Sequence, residues 1–162
     1  IITITVGIFG TSVMGLTLQQ LLILGLLANI SGAIGCYLFG FFIKNDKLTV
    51  IVTLTILILL ILALSINTSQ ILFIILVIIA TFFTGPLQSS SRVIMANLTD
   101  DNRQGFSFGI FTLLGKITAF VGPICAALLT FLISQRIGFA FSIVLLSLGL
   151  LLMINVSYNN KN

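Results

Sequence analysis

The stretch that decides the fold is residues 85–123, GPLQSSSRVIMANLTDDNRQGFSFGIFTLLGKITAFVGP, in which a polar connection joins two long apolar segments. Arg92, Arg103 and Lys116 lie within it, while the sequence on either side is almost entirely apolar. Lys116 stands inside an apolar run, where an ionisable side chain is costly and commonly marks a functional site. The stretch therefore predicts two neighbouring membrane helices, the second of which carries a lysine with a role.

The composition supports this interpretation along the whole chain. Of the 162 residues, 59% are hydrophobic and only 6% are charged, which is too few polar groups to cover the surface of a soluble domain. Several apolar runs have the roughly 20 residues that a helix needs to cross a hydrocarbon core of about 30 Å. The sequence predicts an all-α integral membrane protein whose surroundings are a lipid bilayer. The net charge of +4 is spread over the loops and predicts no nucleic-acid partner.

The predicted spans form a single transmembrane helical domain. Pro86 is expected to kink the fourth span, because proline removes one backbone hydrogen bond of a helix. The first span is too short to cross a bilayer by itself, so we expect an incomplete helix and a chain that is part of a longer protein. The six spans are about residues 1–15, 21–43, 48–66, 71–92, 105–133 and 137–156.

The distribution of Lys and Arg predicts the orientation in the membrane. One side receives five of these residues, and the other side receives only Arg136, with Lys116 inside the membrane. The richer side is predicted to be cytoplasmic and to include the C-terminus. Its residues are Lys44, Lys47, Arg92, Arg103 and Lys161.

Helical spacing brings Gly105, Gly109, Thr112 and Lys116 onto one face of the fifth span. Gly105 and Gly109 form a GxxxG pair, which predicts a close helix crossing. Lys116 is expected near the midplane of the membrane, about 15 Å along the helix, facing a watery cavity or a partner. The alternative is an interfacial lysine whose ammonium group snorkels to the headgroups, because residues 117–133 are themselves long enough to span.

The fourth span carries a second polar face, formed by Thr81, Gly85, Gln88 and Arg92 at spacings typical of a helix. Gln88 offers both a donor and an acceptor to a solute, and it is expected to lie across from Lys116 as its companion in the path. An interhelical hydrogen bond would also explain Gln88. Arg92 is equally well explained as a snorkelling anchor or as a solute contact.

The second span is expected to pack closely on protein, because its small residues recur every four positions. Ala28 with Gly32, and Ser31 with Gly35, follow this spacing, which lets helix backbones approach each other.

The residue inventory argues against enzyme and metal chemistry. The sequence has no His and no Glu, and its three acids, Asp46, Asp100 and Asp101, lie in predicted loops. Neither a carboxylate pair nor a metal site can therefore be assembled within the membrane. The prediction is no catalytic residue, no metal and no cofactor.

Three motifs resemble a known family: GPLQSSSR at 85–92, FSFGIFTLLGK at 106–116 and the Gly122–Pro123 pair. They are similar to the C-terminal half of major facilitator transporters of the vacuolar-effluxer-like branch, which contains autophagy-related amino-acid effluxers. The resemblance implies the C-terminal six-helix half of that fold, from an incomplete helix seven to helix twelve. It also implies that helices ten and eleven, which carry Gln88, Arg92 and Lys116, face a central cavity.

The sequence departs from the family pattern at the loop between the second and third spans. Lys44, Asn45, Asp46 and Lys47 stand where such transporters carry a longer motif with an acid, an arginine and a glycine. Gln104 stands where an acid commonly precedes the second motif. The charged latch that the loop motif supplies in the family is therefore in question.

Taken together, the sequence predicts part of a secondary active transporter that moves a small polar solute by alternating access, with an amino acid as one candidate solute. The expected location is a bacterial plasma membrane, and the expected partner is a missing N-terminal transporter half, without which residues 1–162 should not transport. The alternative is a non-transporting scaffold or a degenerate transporter remnant, which the altered loop favours. The predicted path residues are Lys116, Gln88, Thr112, Arg92 and Thr81.

Overall fold

The computed structural model describes residues 6–7, 10–11, 14–43, 45–67, 69–99, 103–132 and 135–155. Residues 6–7 and 10–11 are helical, and most of the rest of the predicted first span lies outside the described residues. The fold is therefore described by five long helices instead of the six predicted spans. They are α1 (Leu18–Phe42), α2 (Asp46–Ile66), α3 (Gln70–Leu98), α4 (Gln104–Leu132) and α5 (Gln135–Asn155).

Length and composition allow α1, α2, α3 and α4 to cross a membrane, whereas the apolar part of α5, Phe141–Asn155, is shorter. α3 continues to Leu98, beyond the predicted end at residue 92, because Ile94 is buried against α2 and extends the packed face by another turn. α3 also passes through Pro86 without interruption.

Polar caps set where α1 and α2 begin. Thr17 Oγ1 accepts a hydrogen bond from the Gln20 backbone N–H at 3.3 Å, and the Thr17 N–H donates to Gln20 Oε1 at 2.9 Å. This capping box starts α1 at Leu18 instead of Leu21. Asn45 Oδ1 accepts from the Leu48 N–H at 3.2 Å, so the predicted charged turn is the N-cap and first turn of α2, with Lys44 outside the described residues.

α2 packs between α3 and α5. Its buried stripe includes Leu57, Ile61 and Leu64, and the last two meet Phe73 and Val77 of α3. The opposite side of α2 leaves large apolar residues such as Leu59 and Leu62 exposed, which is typical of a helix with one face in lipid. The three helices thus form a layer whose outer side is apolar.

A lysine ties the start of α2 to the end of α5. Lys47 Nζ donates to the Ile154 carbonyl oxygen at 3.2 Å. The negative end of the α5 helix dipole also stabilises the positive charge of this lysine. Because the connections are short, α2 and α4 begin at the end of the bundle where α1, α3 and α5 finish. We call this the Lys47 end.

α1 crosses α3 at glycines. A Cβ on Gly35 would overlap the carbonyl oxygen of Phe82, and a Cβ on Gly85 would overlap that of Gly32. Ser31 Oγ donates across the crossing to the Ile78 carbonyl oxygen at 3.0 Å. Gly32 and Gly35 are therefore at a close helix contact in this structure, and α3 supplies Gly85 in return.

α4 is held to the rest of the bundle mainly near its far end. Its buried residues are Gly122 and Ala126, and the backbone of Ala126 lies against Gly138 of α5. Gly105 and Gly109 have nothing within 4 Å of an added Cβ. The close crossing predicted from their GxxxG spacing is thus not formed among the described residues, because the first half of α4 stands away from its neighbours.

Candidate functional site

Two clefts lie side by side on the part of α3 that faces away from α2. The first, the α1–α3 cleft, has a volume of about 620 Å³. Its walls are the small face of α1 and the polar face of α3, which places the predicted residues Thr81, Gln88 and Arg92 in it. The remaining lining residues are Gly25, Ala28, Asn29, Gly32, Ala33, Cys36, Thr84, Gly85, Ser89 and Val93.

The second, the α3–α4 cleft, has a volume of about 510 Å³ and lies where α4 separates from α3. It contains the predicted residues Arg92, Thr112 and Lys116. Apolar side chains and one glycine complete its wall: Phe108, Phe111, Gly115 and Ala119.

Arg92 is common to the two clefts, and this changes the expected pairing. The sequence paired Lys116 with Gln88, but Gln88 lines the α1–α3 cleft and Lys116 lines the α3–α4 cleft. Lys116 shares its cleft with Arg92 instead. Arg92 lies at the boundary between the two clefts because the same side of α3 faces both α1 and the open side of α4.

The helix register gives the axial position of Lys116 relative to α5. Gly138 of α5 lies against Ala126 and Thr130 of α4. From this contact toward the Lys47 end, Ile154 is about 24 Å away along α5, and Lys116 is about 15–21 Å away along α4. Lys116 therefore lies within about 10 Å of the level of Ile154. α4 extends past the end of α5 at the Lys47 end, and the midplane position of Lys116 stays a prediction.

Arg92 lies at a similar depth. Its neighbour Ile94 packs against Val50 and Leu54, and Arg92 itself is about 9 Å from the end of α3 at Leu98. The two cations thus line one cleft, on adjacent helices that run in opposite directions.

The threonine hydroxyl groups of the clefts already donate within their own helices. Thr81 Oγ1 donates to the Val77 and Ile78 carbonyl oxygens, at 3.1 and 2.9 Å. Thr112 Oγ1 donates to the Phe108 carbonyl oxygen at 2.8 Å. These threonines therefore offer a solute their oxygen lone pairs and no proton.

Donors for a solute come from longer side chains. Gln88, Arg92 and Lys116 are exposed in the clefts, and no residue of the described part forms a hydrogen bond or ion pair with their side chains. Together they present an amide, a guanidinium and an ammonium group. The clefts can thus donate several hydrogen bonds, most of them from charged groups.

The electrostatic balance of the clefts is positive. Asp46, at the start of α2, lines neither cleft, and the other two acids, Asp100 and Asp101, lie outside the described residues. Within the described ranges, no three His, Cys, Asp or Glu side chains come close enough to hold a metal ion.

Several cleft residues were not predicted. Asn29 and Cys36 of α1 line the α1–α3 cleft, and Asn29 Nδ2 donates to the Gly25 carbonyl oxygen at 2.7 Å. The signal was present, because Gly25, Asn29, Gly32 and Cys36 recur at spacings of four, three and four, as the polar face of α3 does. A hydropathy profile does not reveal this face of α1, because most of its residues are small.

Comparison with known families covers four of the five long helices. The model of the Major Facilitator Superfamily matches residues 45–161, which include α2 to α5. The chain belongs to the major facilitator superfamily. Membership in this superfamily of membrane transporters supports a transporter-type function. No curated protein and no solved structure matches the chain.

The matched range covers the α3–α4 cleft and the α3 wall of the α1–α3 cleft. The matched range contains every predicted path residue: Thr81, Gln88, Arg92, Thr112 and Lys116. All five line the two clefts, so the predicted polar groups on α3 and α4 of this major facilitator chain lie at these clefts.

Proposed function

We propose that the chain lines the solute path of a secondary active transporter that moves a small polar solute by alternating access. The path residues in this proposal are Lys116, Gln88, Thr112, Arg92 and Thr81. The observation that carries it is the shared position of Arg92, which joins the α1–α3 cleft to the α3–α4 cleft that holds Lys116. Ionisable side chains within apolar helices are typical of such pathways.

The cost of a charge in lipid supports a covered path. A lysine within a membrane helix costs about 2.5–3.5 kcal/mol when it faces hydrocarbon at the centre. The described helices leave Lys116 and the first half of α4 exposed, and shielding by another membrane domain would remove this cost. We propose that a second, N-terminal helical half of the transporter packs here and turns the clefts into a central cavity.

The finer assignment rests on the motifs. Residues 85–92 and 106–116, which resemble the vacuolar-effluxer-like branch, include Gln88, Arg92 and Lys116 of the clefts. We therefore place the chain in that branch, with an amino acid as one candidate solute. The excess of basic residues at the Lys47 end supports a cytoplasmic position for this end and for the C-terminus, and we propose a bacterial plasma membrane as the location.

Transport by reconstituted protein tests the proposal. Proteoliposomes that contain the chain together with a complementary N-terminal half should take up labelled solute, and vesicles that contain residues 1–162 alone should not. Lys116→Met should abolish uptake and leave the unfolding midpoint nearly unchanged. Uptake that is insensitive to Lys116→Met, or uptake by the chain alone, would contradict the proposed path.

A scaffold without transport is the second candidate, and the Lys47 contact favours it. The loop that carries a charged latch in the resembled family here caps α2 through Asn45 and holds α5 through Lys47. In a scaffold, Lys116→Met should stabilise the protein by removing a costly charge, and no solute should accumulate in the vesicles. The same set of measurements therefore separates the two functions.

A further inference from the structure

We propose that Arg92 and Lys116 form an oxoanion site, so that the protein binds carboxylate or phosphate groups in preference to zwitterionic or neutral solutes. The inference rests on the proposed function in taking the clefts as part of the solute path. It goes further by assigning the charge of the group that is bound and the two side chains that bind it.

The geometry brings the two cations to one space. Both line the α3–α4 cleft. The cleft volume of about 510 Å³ leaves room for a small solute between the helices. An oxoanion in this cleft meets a guanidinium and an ammonium group, both of which donate charge-assisted hydrogen bonds to such ligands.

The hydrogen-bonding groups favour an acceptor-rich ligand. Arg92 and Lys116 are donors only, and Thr112 has committed its proton to the Phe108 carbonyl oxygen. Gln88 adds an amide on the far side of Arg92, in the α1–α3 cleft. A carboxylate or phosphate supplies the acceptors that these donors lack.

The same charges disfavour a solute with an ammonium group. The acids of the chain are Asp46, which lines neither cleft, and Asp100 and Asp101, which lie outside the described residues. No carboxylate of the described part is therefore available to bind an amine. Arg92 and Lys116 repel an ammonium group, and this repulsion selects against solutes that carry one.

The apolar wall strengthens the attraction. Phe108, Phe111 and Ala119 line the α3–α4 cleft beside the two cations. Low-polarity walls with one sign of charge focus the electric field on the opening and reduce screening. An anion in this cleft should therefore be held more strongly than by two lysines on an open surface.

Two sources can supply the oxoanion. One is a soluble solute, and the other is the headgroup of an anionic lipid, since the site is close to the Lys47 end. Their shared chemistry is the phosphate or carboxylate group. Lipid composition separates them, because a bilayer of phosphatidylcholine offers no net negative headgroup.

The test is equilibrium binding to the protein in nanodiscs. Labelled inorganic phosphate and labelled succinate are the anionic probes, and labelled alanine is the zwitterionic probe, all in phosphatidylcholine. We expect the anions to bind at least ten-fold more tightly than alanine. Arg92→Gln and Lys116→Gln should each weaken anion binding about ten- to hundred-fold, as loss of a charged hydrogen bond does. Arg103→Gln, which removes a charge outside both clefts, should leave it unchanged.

A second arm identifies the source. Nanodiscs that contain phosphatidylglycerol should bind phosphate more weakly if the lipid headgroup occupies the site, and this competition should disappear in Arg92→Gln. Equal phosphate binding in both bilayers identifies the soluble anion as the ligand. Either result supports an oxoanion site.

The inference is overturned if alanine binds as tightly as the anions, if no anion binds, or if Arg103→Gln weakens binding as much as the cleft variants do.

Transport is scored separately, by uptake in proteoliposomes. Uptake of a neutral solute that ignores Arg92→Gln and Lys116→Gln defeats the oxoanion site and leaves the transporter intact. Anion binding without any uptake defeats the transporter and leaves the site.

Discussion

The crossing of α1 on α3 makes a sharp prediction at Gly35. An alanine Cβ there would overlap the Phe82 carbonyl oxygen and come within 2.9 Å of the Phe82 carbonyl carbon. Carbon atoms prefer separations of about 3.5–4.0 Å, so the helices would have to separate by about 1 Å. Neither partner atom can rotate aside, because both belong to the backbone.

The expected magnitude follows from two opposing terms. Overpacking of this kind costs about 2–3 kcal/mol, while replacing a helical glycine by alanine gains about 1 kcal/mol through helix propensity. Gly35→Ala should thus destabilise the protein by about 1–2 kcal/mol. Gly40→Ala, in the same helix with nothing within 4 Å of its added Cβ, should stabilise it by up to about 1 kcal/mol. The difference between the two variants isolates the steric term.

Reversible unfolding in SDS measures this difference. A dye pair at the exposed positions Leu22 of α1 and Ile71 of α3 would report separation of the helices, in a background with Cys36 and Cys125 replaced by Ser. We expect Gly35→Ala to lose energy transfer at a lower SDS fraction than Gly40→Ala. Equal midpoints for the two variants would refute the close crossing.

Three further predictions concern the caps, the crossing and the cleft. Ser31→Ala should destabilise the protein by about 0.6 kcal/mol in the same SDS assay, because it removes the interhelical bond to Ile78. Thr17→Ala should cost about 1 kcal/mol and fray the start of α1, as seen by amide hydrogen exchange, because it removes the capping side chain. Cys36, which lines the α1–α3 cleft, should react with a membrane-impermeant maleimide in nanodiscs, and a bound solute should slow the reaction.

Each of these three has its own control. Thr55→Ala removes an exposed hydroxyl that donates within its own helix, and it should leave the SDS midpoint unchanged. Thr17→Ser keeps the cap and should restore normal exchange of α1. If Cys36 resists the impermeant reagent but reacts with a lipid-soluble maleimide, the α1–α3 cleft faces lipid and the proposed path is wrong.

Five of the residues that line the clefts could be predicted to lie on polar helix faces, but their arrangement could not. Thr81, Gln88 and Arg92 fall on one face of α3 by spacing alone, and Thr112 and Lys116 fall on one face of α4. All five line the clefts. Their grouping differed, because Arg92 and not Gln88 shares a cleft with Lys116, and the α1 contribution from Asn29 was missed.

The glycine pairs show the same limit. Gly32 and Gly35 follow small-residue spacing and lie at a close crossing, whereas Gly105 and Gly109 follow it equally well and touch nothing within 4 Å. Spacing indicates that a helix can be approached closely on that face. It contains no information about which helix, if any, does so.

The sequence by itself determined the membrane class, the helical secondary structure and the faces on which polar residues lie. The physical reason is that hydrocarbon forces every backbone group to bond within its own helix, so length and apolar character are sufficient to recognise the spans. Tertiary structure decided how far each helix slides along its neighbours. Helical spacing gives an angle around the axis, and only the packing of Ala126 on Gly138 and of Ile94 on Val50 gives the axial offset that brings Lys116 to Arg92.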